Sequence, residues 1–455
     1  MQTPKRSTCR VHGSRSRSFV RSRLLESTIL VFTTLVLAAG PARATNGYFS
    51  HGYGVKYKAL AGAGVALSLS PMAAATNPGA MAFVDKSYDV SFSIFNPNRE
   101  YTVTGDPTPN PDLNGDGVPD LFGLAPGTHE SDSRVFVVPS LSANWILNED
   151  ETMRLGLAIY GNGGMNTDYP TATFDPMGMF PNTNPTGVDL AQIFVAPTFS
   201  FQVAEKHGFG VTPILTYQRF EVKGLAAFGA LGFSSAPEKL TNNDHSNSVG
   251  FGVRVGYLGQ ILDYLSIGAS FESKMYMSKF DDYAGLFAEQ GGFDVPATWT
   301  VGIALGFDGM GLAVDVQQIL YSDIKSIANP LLPNLQQAQL GMDGGAGFGW
   351  EDMTVIKTGA WYQINSGWKF RGGYSYGAQP IPESEVLFNM LAPGVVEQHL
   401  TFGVSKDVTG DKELSFVVSR AFSHDVTGPN PLEMPGQQTI NLKMDQWEFS
   451  AGLTF

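Results

Sequence analysis

Asp112, Asn114, Asp116 and Asp120 place oxygen ligands at closely spaced positions in the run DLNGDGVPD. The pattern D-x-N-x-D-G-x-x-D matches the front of a calcium loop, whose first, third, fifth and ninth positions supply oxygens while a glycine makes the tight turn. Gly117 stands at the turn, but the position of the closing bidentate Glu is held by Gly123. Two readings stay open, a weak Ca2+ site and an acidic turn with no metal; no cofactor is required. Elsewhere the chain lacks the pieces of an active site. Its seven histidines are scattered and no G-x-S-x-G elbow occurs. Gly52-x-Gly54 and Gly62-x-Gly64 lack the strand–turn–helix context of a nucleotide loop. The chain reads as a protein that is not an enzyme.

Composition bounds the class. Lys5, Arg6, Arg10, Arg15, Arg17, Arg21 and Arg23 precede the apolar run Thr28 to Ala39, and Ala42-Arg43-Ala44 forms an A-x-A site. Residues 1–44 thus read as a cleaved signal, with Thr45 as the mature start. They hold eight of the 29 basic and one of the 42 acidic residues, leaving 21 and 41 and a net charge of −20. Such acidity argues against nucleic acid as a partner. The only cysteine, Cys9, leaves with the signal.

The elements that position any site are strands. In Tyr88–Phe95, Val90, Phe92 and Ile94 alternate with Asp89, Ser91 and Ser93, the period of two of a half-buried strand. The pattern recurs fourteen times, near 87–104, 132–147, 152–168, 189–204, 208–223, 247–261, 265–280, 295–307, 311–323, 352–364, 368–380, 396–407, 412–424 and 440–455. Short connections such as Asn148–Glu151 and Glu205–His207 alternate with long ones such as 105–131 and 224–246. An even strand number with short turns at one end and long loops at the other predicts an all-β fold: a fourteen-stranded antiparallel transmembrane β-barrel of a bacterial outer membrane. Phe455 ends an alternating strand with Leu453, Ala451, Phe449 and Trp447 on one face. This resembles the signal read by the barrel assembly machinery. A barrel this wide has a lumen to fill. Residues 45–86, rich in Gly and Ala and almost uncharged, are expected to fold inside as a hatch (a plug), with 87–455 as the wall.

Asn46-Gly47, Gly52-Tyr53-Gly54, Ala61-Gly62-Ala63-Gly64-Val65-Ala66, Asn77-Pro78-Gly79-Ala80-Met81-Ala82, Tyr321-Ser322-Asp323-Ile324 and Gly347-Phe348-Gly349-Trp350-Glu351-Asp352 together resemble the long-chain fatty acid and aromatic hydrocarbon transporter family of the outer membrane, the FadL-like proteins. The resemblance implies a fourteen-stranded barrel with an N-terminal hatch. It also implies capture of a hydrophobic molecule on the outer loops and sideways exit to the membrane at a kink in the third strand. The chain departs from the family's Asn-Pro-Ala corner by Gly79, inserted before Ala80.

Several residues would carry this work. Gly161, Gly163 and Gly164 interrupt the third strand, as glycines at bulges or bends do, and are the candidate lateral gate; a plain strand end is the alternative. Leu225, Phe228, Leu231, Phe233, Leu286 and Phe287 make two apolar outer loops, read as a substrate groove, as loop-on-loop packing, or as both. Arg219 and Lys357 are candidate partners for a fatty-acid carboxylate, since a charge within a membrane strand is expected to face the lumen. The function read is passive uptake of long-chain fatty acids or hydrocarbons, with outer-membrane lipid as surroundings. A structural barrel or adhesin, a general diffusion porin and an outer-membrane phospholipase are the alternatives.

Overall fold

Period-two alternation becomes a wall with two chemically different faces. The computed structural model describes residues 46–109, 111–113, 115, 121–364, 366–408 and 412–455. Fourteen long strands follow one another: β1 (Ser87–Thr104), β2 (Phe136–Ile146), β3 (Met153–Tyr169), β4 (Thr186–Val203), β5 (His207–Lys223), β6 (Ser246–Leu262), β7 (Leu265–Glu272), β8 (Thr298–Phe307), β9 (Met310–Ile319), β10 (Met353–Ile364), β11 (Trp368–Gly377), β12 (Gln398–Asp407), β13 (Glu413–Pro429) and β14 (Thr439–Thr454). Each pairs antiparallel with its sequence neighbours. β14 returns to β1 from Asp89↔Thr454 to Thr104↔Thr439 and closes the barrel. Two short extended stretches, Gly127–Glu130 and Tyr276–Met277, add to β1 and β6 on the long-loop side.

β5 shows the chemistry of the two faces. Phe209, Val211, Leu215 and Tyr217 point outward and are exposed, while Thr212, Thr216 and Gln218 point inward and are buried. An outward apolar face suits lipid, and an inward polar one suits a filled lumen. At the short-turn end, Tyr88, Trp145 and Phe455 meet, as do Phe201, Phe209 and Tyr257, and Tyr264 stacks on Phe307. These rings form one aromatic girdle, and the terminal Phe455 is part of it.

Two strands depart most from expectation. β7 ends at Glu272 rather than near 280: Ser273 N still donates to Val253 O of β6, but Val253 N is taken by the Ser273 side chain, and Met275 bridges to Val295 in the next loop. β13 runs on to Pro429 through a bulge between Ala421 and His424, shortening the last long loop. β3 runs through its glycines to Tyr169, as the expected span of 152–168 has it, and the alternative of a strand end there does not hold.

Residues 46–84 are almost all buried and touch strands from around the ring. They form a turn of helix at Val55–Lys58 and 3-10 turns at Pro71–Ala75 and Pro78–Phe83, joined by Gly-rich bends. Small side chains let this irregular backbone lie close to the wall, and the wall shields it from lipid. The signal reading of residues 1–44, and Asn114, Asp116 and Asp120 of the calcium-like loop, lie outside the described residues. Within that loop, Asp112 Oδ1 accepts from Gly115 N at 2.6 Å.

Candidate functional site

The N-terminal segment is held by side chains that project inward from the wall. Asp315 on β9 accepts from Gly64 N and Val65 N at 2.7 and 2.9 Å. Thr401 on β12 donates to Ala59 O and accepts from Ala61 N, both at 3.0 Å. Lys58 pairs with Glu448 of β14 and donates to Ser93 of β1 at 2.9 Å. Lys56 pairs with Glu413 of β13 at 3.2 Å. Arg254 of β6, paired with Glu272, donates to Ala74 O at 3.1 Å. Buried charges persist where each has an opposite partner and further hydrogen bonds.

The Asn-Pro corner sits against β4, β5 and β6. Asn77 is fully buried; its Nδ2 donates to Val65 O at 2.6 Å and Tyr257 O at 2.8 Å, and its Oδ1 accepts from Gly79 N at 2.9 Å. Ser200 donates to Pro78 O at 2.6 Å. Gly79 has a physical reason. A Cβ on Gly79 would lie 2.8 Å from Gly208 O, Gly256 O and Tyr257 Cα. Wall glycines answer it, since a Cβ on Gly210 or Gly256 would run into Pro78 or Asn77. Ala80, buried beside this corner, gives its carbonyl to Ser68.

His51, also in this segment, stacks on His399 of β12 with ring centroids 4.5 Å apart. Its Nδ1 stands 3.7 Å from Glu448, and its Nε2 has no hydrogen-bond partner among the described residues. Burial, then the charges of Lys58 and Lys357, hold its pKa well below the usual value.

The glycines of β3 produce a bulge. Register against β4 shifts between Gly161 and Gly163. Pairing of β2 with β3 ends at Ser140↔Tyr160, and Gly161–Thr167 face a seam without ladder bonds to β2. The seam closes again where Asp132 N donates to Asp168 O at 2.8 Å and Asp168 N to Ser131 Oγ at 3.0 Å. Within this window the N-terminal segment bonds the bulge: Ser50 N to Asn162 O at 2.9 Å and Gly164 N to Tyr48 O at 3.1 Å. A side chain on Gly163 would collide with Tyr48 O. Asn162 turns inward and joins Tyr53 Oη, Gln192 and Gln218 in a buried chain of hydrogen bonds. Tyr48 is wedged against Phe49, Tyr321 and Trp350, the last two from segments on either side of the fifth long loop.

On the long-loop side lies an apolar cavity lined by Phe220, Leu225, Leu286, Phe287, Phe348 and Phe388 among others, with Ser326 as its one polar side chain. Phe287 lies 4.8 Å from Phe293, and Phe293 lies 6.4 Å from Tyr48, so rings run from the cavity to the window. Of the six apolar loop residues expected to bind substrate, Leu225, Leu286 and Phe287 meet here. Phe228 is buried in the layer above, Phe233 packs on it at 6.1 Å, and Leu231 lines a separate outer groove.

The two candidate cations part company. Lys357 faces inward as expected, but it stands opposite Asp315 in the β9–β10 ladder and donates to His51 O at 3.1 Å. It holds the N-terminal segment and, with Arg254, Glu272 and Asp315, lines a polar cavity against that segment, apart from the apolar one. Arg219 does not face the lumen. It shares the outward parity of Leu215 and Tyr217, near the rim, where it pairs with Asp189 at 3.0 Å. Asp315, Thr401, Glu448 and the His51–His399 pair escaped the sequence reading. Their inward parity was visible in each strand; their partners, hundreds of residues away, were not.

A family model described as outer membrane protein transport protein (OMPP1/FadL/TodX) matches residues 29–428. Among solved structures the chain is similar to the toluene transporter TodX of Pseudomonas putida, with 18% identity and a TM-score of 0.63 over 90% of this chain and 99% of that one. It is similar to a FadL homologue of Pseudomonas aeruginosa, at 15% and 0.63 over 90% and 99%. It is also similar to the toluene transporter TbuX of Ralstonia pickettii, at 17% and 0.56 over 88% and 98%. At these identities the likeness is one of fold. No curated protein sequence matches the chain.

Proposed function

The chain belongs to the OMPP1/FadL/TodX family of outer membrane transport proteins, and from that premise we propose that it carries small hydrophobic molecules inward, releasing them sideways between β2 and β3. The observation that carries this reading is the unpaired seam beside the Gly161/Gly163 bulge. Unsatisfied backbone groups facing lipid are costly, so a break of this kind is maintained for a use. Residues 46–86 act as the hatch: they obstruct the straight path through the lumen, and Tyr48 and Phe49 stopper the window from within. The substrate class is neutral hydrocarbon before carboxylate. No cationic side chain lines the apolar cavity, Lys357 is engaged by the hatch, and Arg219 lies outside.

The test is uptake of toluene, hexadecane and palmitate in parallel by cells in which this chain is the only channel of its kind. Toluene or hexadecane is expected to enter in a manner dependent on the chain, and faster than palmitate. Chain-independent uptake of all three, or free ion conduction of the intact protein in a planar bilayer, refutes the proposal.

A further inference from the structure

The resemblance to FadL-like proteins places capture between the third and fourth outer loops, which here are residues 224–245 and 273–297. That seam is shut. Ser234 Oγ donates to Gly285 O at 2.7 Å, Gly285 N donates to Lys239 O at 3.0 Å, and a Cβ on Gly285 would collide with Ala236 O. Phe287 is turned down onto Phe220 and Phe293. Leu225 of one loop and Leu286 and Phe287 of the other meet at the inner cavity.

An open apolar groove lies elsewhere, among the first, second and third outer loops. It is lined by Phe122, Phe174, Met177, Met179, Phe180 and Leu231 among others. Met177 and Met179 are 57% and 53% exposed, thioethers standing in water. Thioethers are flexible and polarizable and adapt to varied apolar ligands. The acids at the groove, Asp175 in its lining and Glu433 next to it, are taken up by local donors. Asp175 is buried and accepts from Met179 N, Phe180 N and Thr183 Oγ1 at 2.9, 2.9 and 3.1 Å. Glu433 accepts from Thr108 N and Oγ1 at 3.1 and 2.7 Å and from Met434 N at 2.8 Å. Among the described residues no cation lines the groove, so none is there to pair with a carboxylate.

The groove is continuous with the inner cavity through one ring. Phe228 stacks on Phe122 of the groove at 4.8 Å and meets Phe388 of the cavity edge-on at 5.4 Å. Phe174 closes the cluster at 5.3 Å from Phe228. Phe228 is fully buried and sits on a single turn of helix between Gly224 and Gly232, both at positive φ.

We infer that this groove is the outer capture site of the transporter, that its ligand is a neutral aromatic or aliphatic hydrocarbon, and that Phe228 is the ring the ligand passes to reach the inner cavity. The inference rests on the transport reading above. Its occupant is the transported molecule itself, because the groove shares its aromatic floor with the cavity and its lining, among the described residues, carries no cation.

The test uses the full chain in lipid vesicles with toluene as probe. The double variant Met177→Glu/Met179→Glu places two charges at the exposed groove wall without touching the core; Met342→Glu, at an exposed methionine of the fifth long loop, is the control. Toluene uptake at low concentration is expected to fall at least tenfold in the double variant and to stay unchanged in the control. Excess benzoate is expected not to compete with toluene. Phe228→Ala is expected to speed uptake. Unchanged uptake in the double variant, equal loss in the control, or competition by benzoate each overturns the inference. Failure of the unmodified chain to transport toluene, hexadecane or palmitate overturns the transport reading instead, so the two outcomes are distinguishable.

Discussion

Replacing Asn77 by Ala tests how the hatch is fastened. The side chain is fully buried and makes three hydrogen bonds, two as donor to Val65 O and Tyr257 O and one as acceptor from Gly79 N. Only the bond to Tyr257 O joins hatch to wall, and at about 0.5–1.5 kcal/mol its loss weakens docking by that amount; the other two brace the hatch itself. A factor of ten per about 1.4 kcal/mol converts this to a roughly twofold to tenfold rise in the undocked hatch. The barrel itself is closed by the long β1–β14 ladder, which this corner does not touch, so the variant is expected to stay folded. The assay is single-channel conductance in a planar bilayer, with protease nicking of residues 46–86 as a second reading. Frequent openings and faster nicking are expected. Asn77→Asp divides the effect. It keeps an acceptor for Gly79 N but turns a carboxylate against two carbonyls, so it is expected to leak more than Asn77→Ala. A variant as tight and protease-resistant as the unmodified chain, or an Asp variant tighter than the Ala one, refutes this account of the corner.

Acidification is expected to loosen the same hatch. His51 is neutral in the docked state, with its pKa held below its ordinary value; undocked, it takes up a proton near pH ~6.5. The undocked state therefore binds more protons as pH falls from about 6.5. Docking weakens across that window by up to about 1.4 kcal/mol per pH unit, and is unaffected above it. Charged His51 would face Lys58 and Lys357, with only Glu448 opposing, across the ring of His399. Conductance of the unmodified chain should rise between pH 7.5 and 5, and His51→Asn should flatten the rise; the same slope in both removes His51 from the explanation. The window can be closed covalently. A Cβ on Gly161 would stand 3.0 Å from Val138 Cγ1 across the unpaired seam, within reach of a disulfide between cysteines placed at the two sites. With Cys9 in the expected signal, the mature chain offers no competing thiol. Uptake by Val138→Cys/Gly161→Cys should drop to background when oxidised and return on reduction, and full uptake in the oxidised form contradicts lateral exit there.

Much of the wall was legible because strand chemistry is local. Every second residue of β5 faces the same way, so Phe209, Leu215 and Tyr217 announce a lipid face without knowledge of any partner. Loop lengths separate the two ends of the barrel in the same local manner. The distortion in β3 was half legible. Three glycines in four positions mark a distortion, but whether the strand ends or bulges depends on β4, which continues to pair through Tyr169↔Thr186. Arg219 shows the opposite case. Its parity with Tyr217 was visible, yet the expectation that charges turn inward outweighed it. The expectation applies at membrane depth, and Arg219 sits near the rim beside Asp189 and His245.

By itself the sequence determined the strand count, the closed antiparallel wall, its two faces and the presence of a Gly-rich segment to fill the lumen, since all of these follow from alternation, spacing and composition along short stretches. Tertiary structure alone decided what that segment does. Asp315 meets Gly64, Glu448 meets Lys58, His399 meets His51, and Tyr48 meets Gly163, across separations of about a hundred to nearly four hundred residues. Such pairings arise only once the barrel has closed around the segment. The same closure gave Gly79 its purpose: the inserted glycine is the residue that lets the Asn-Pro corner press directly onto the backbone of β5 and β6.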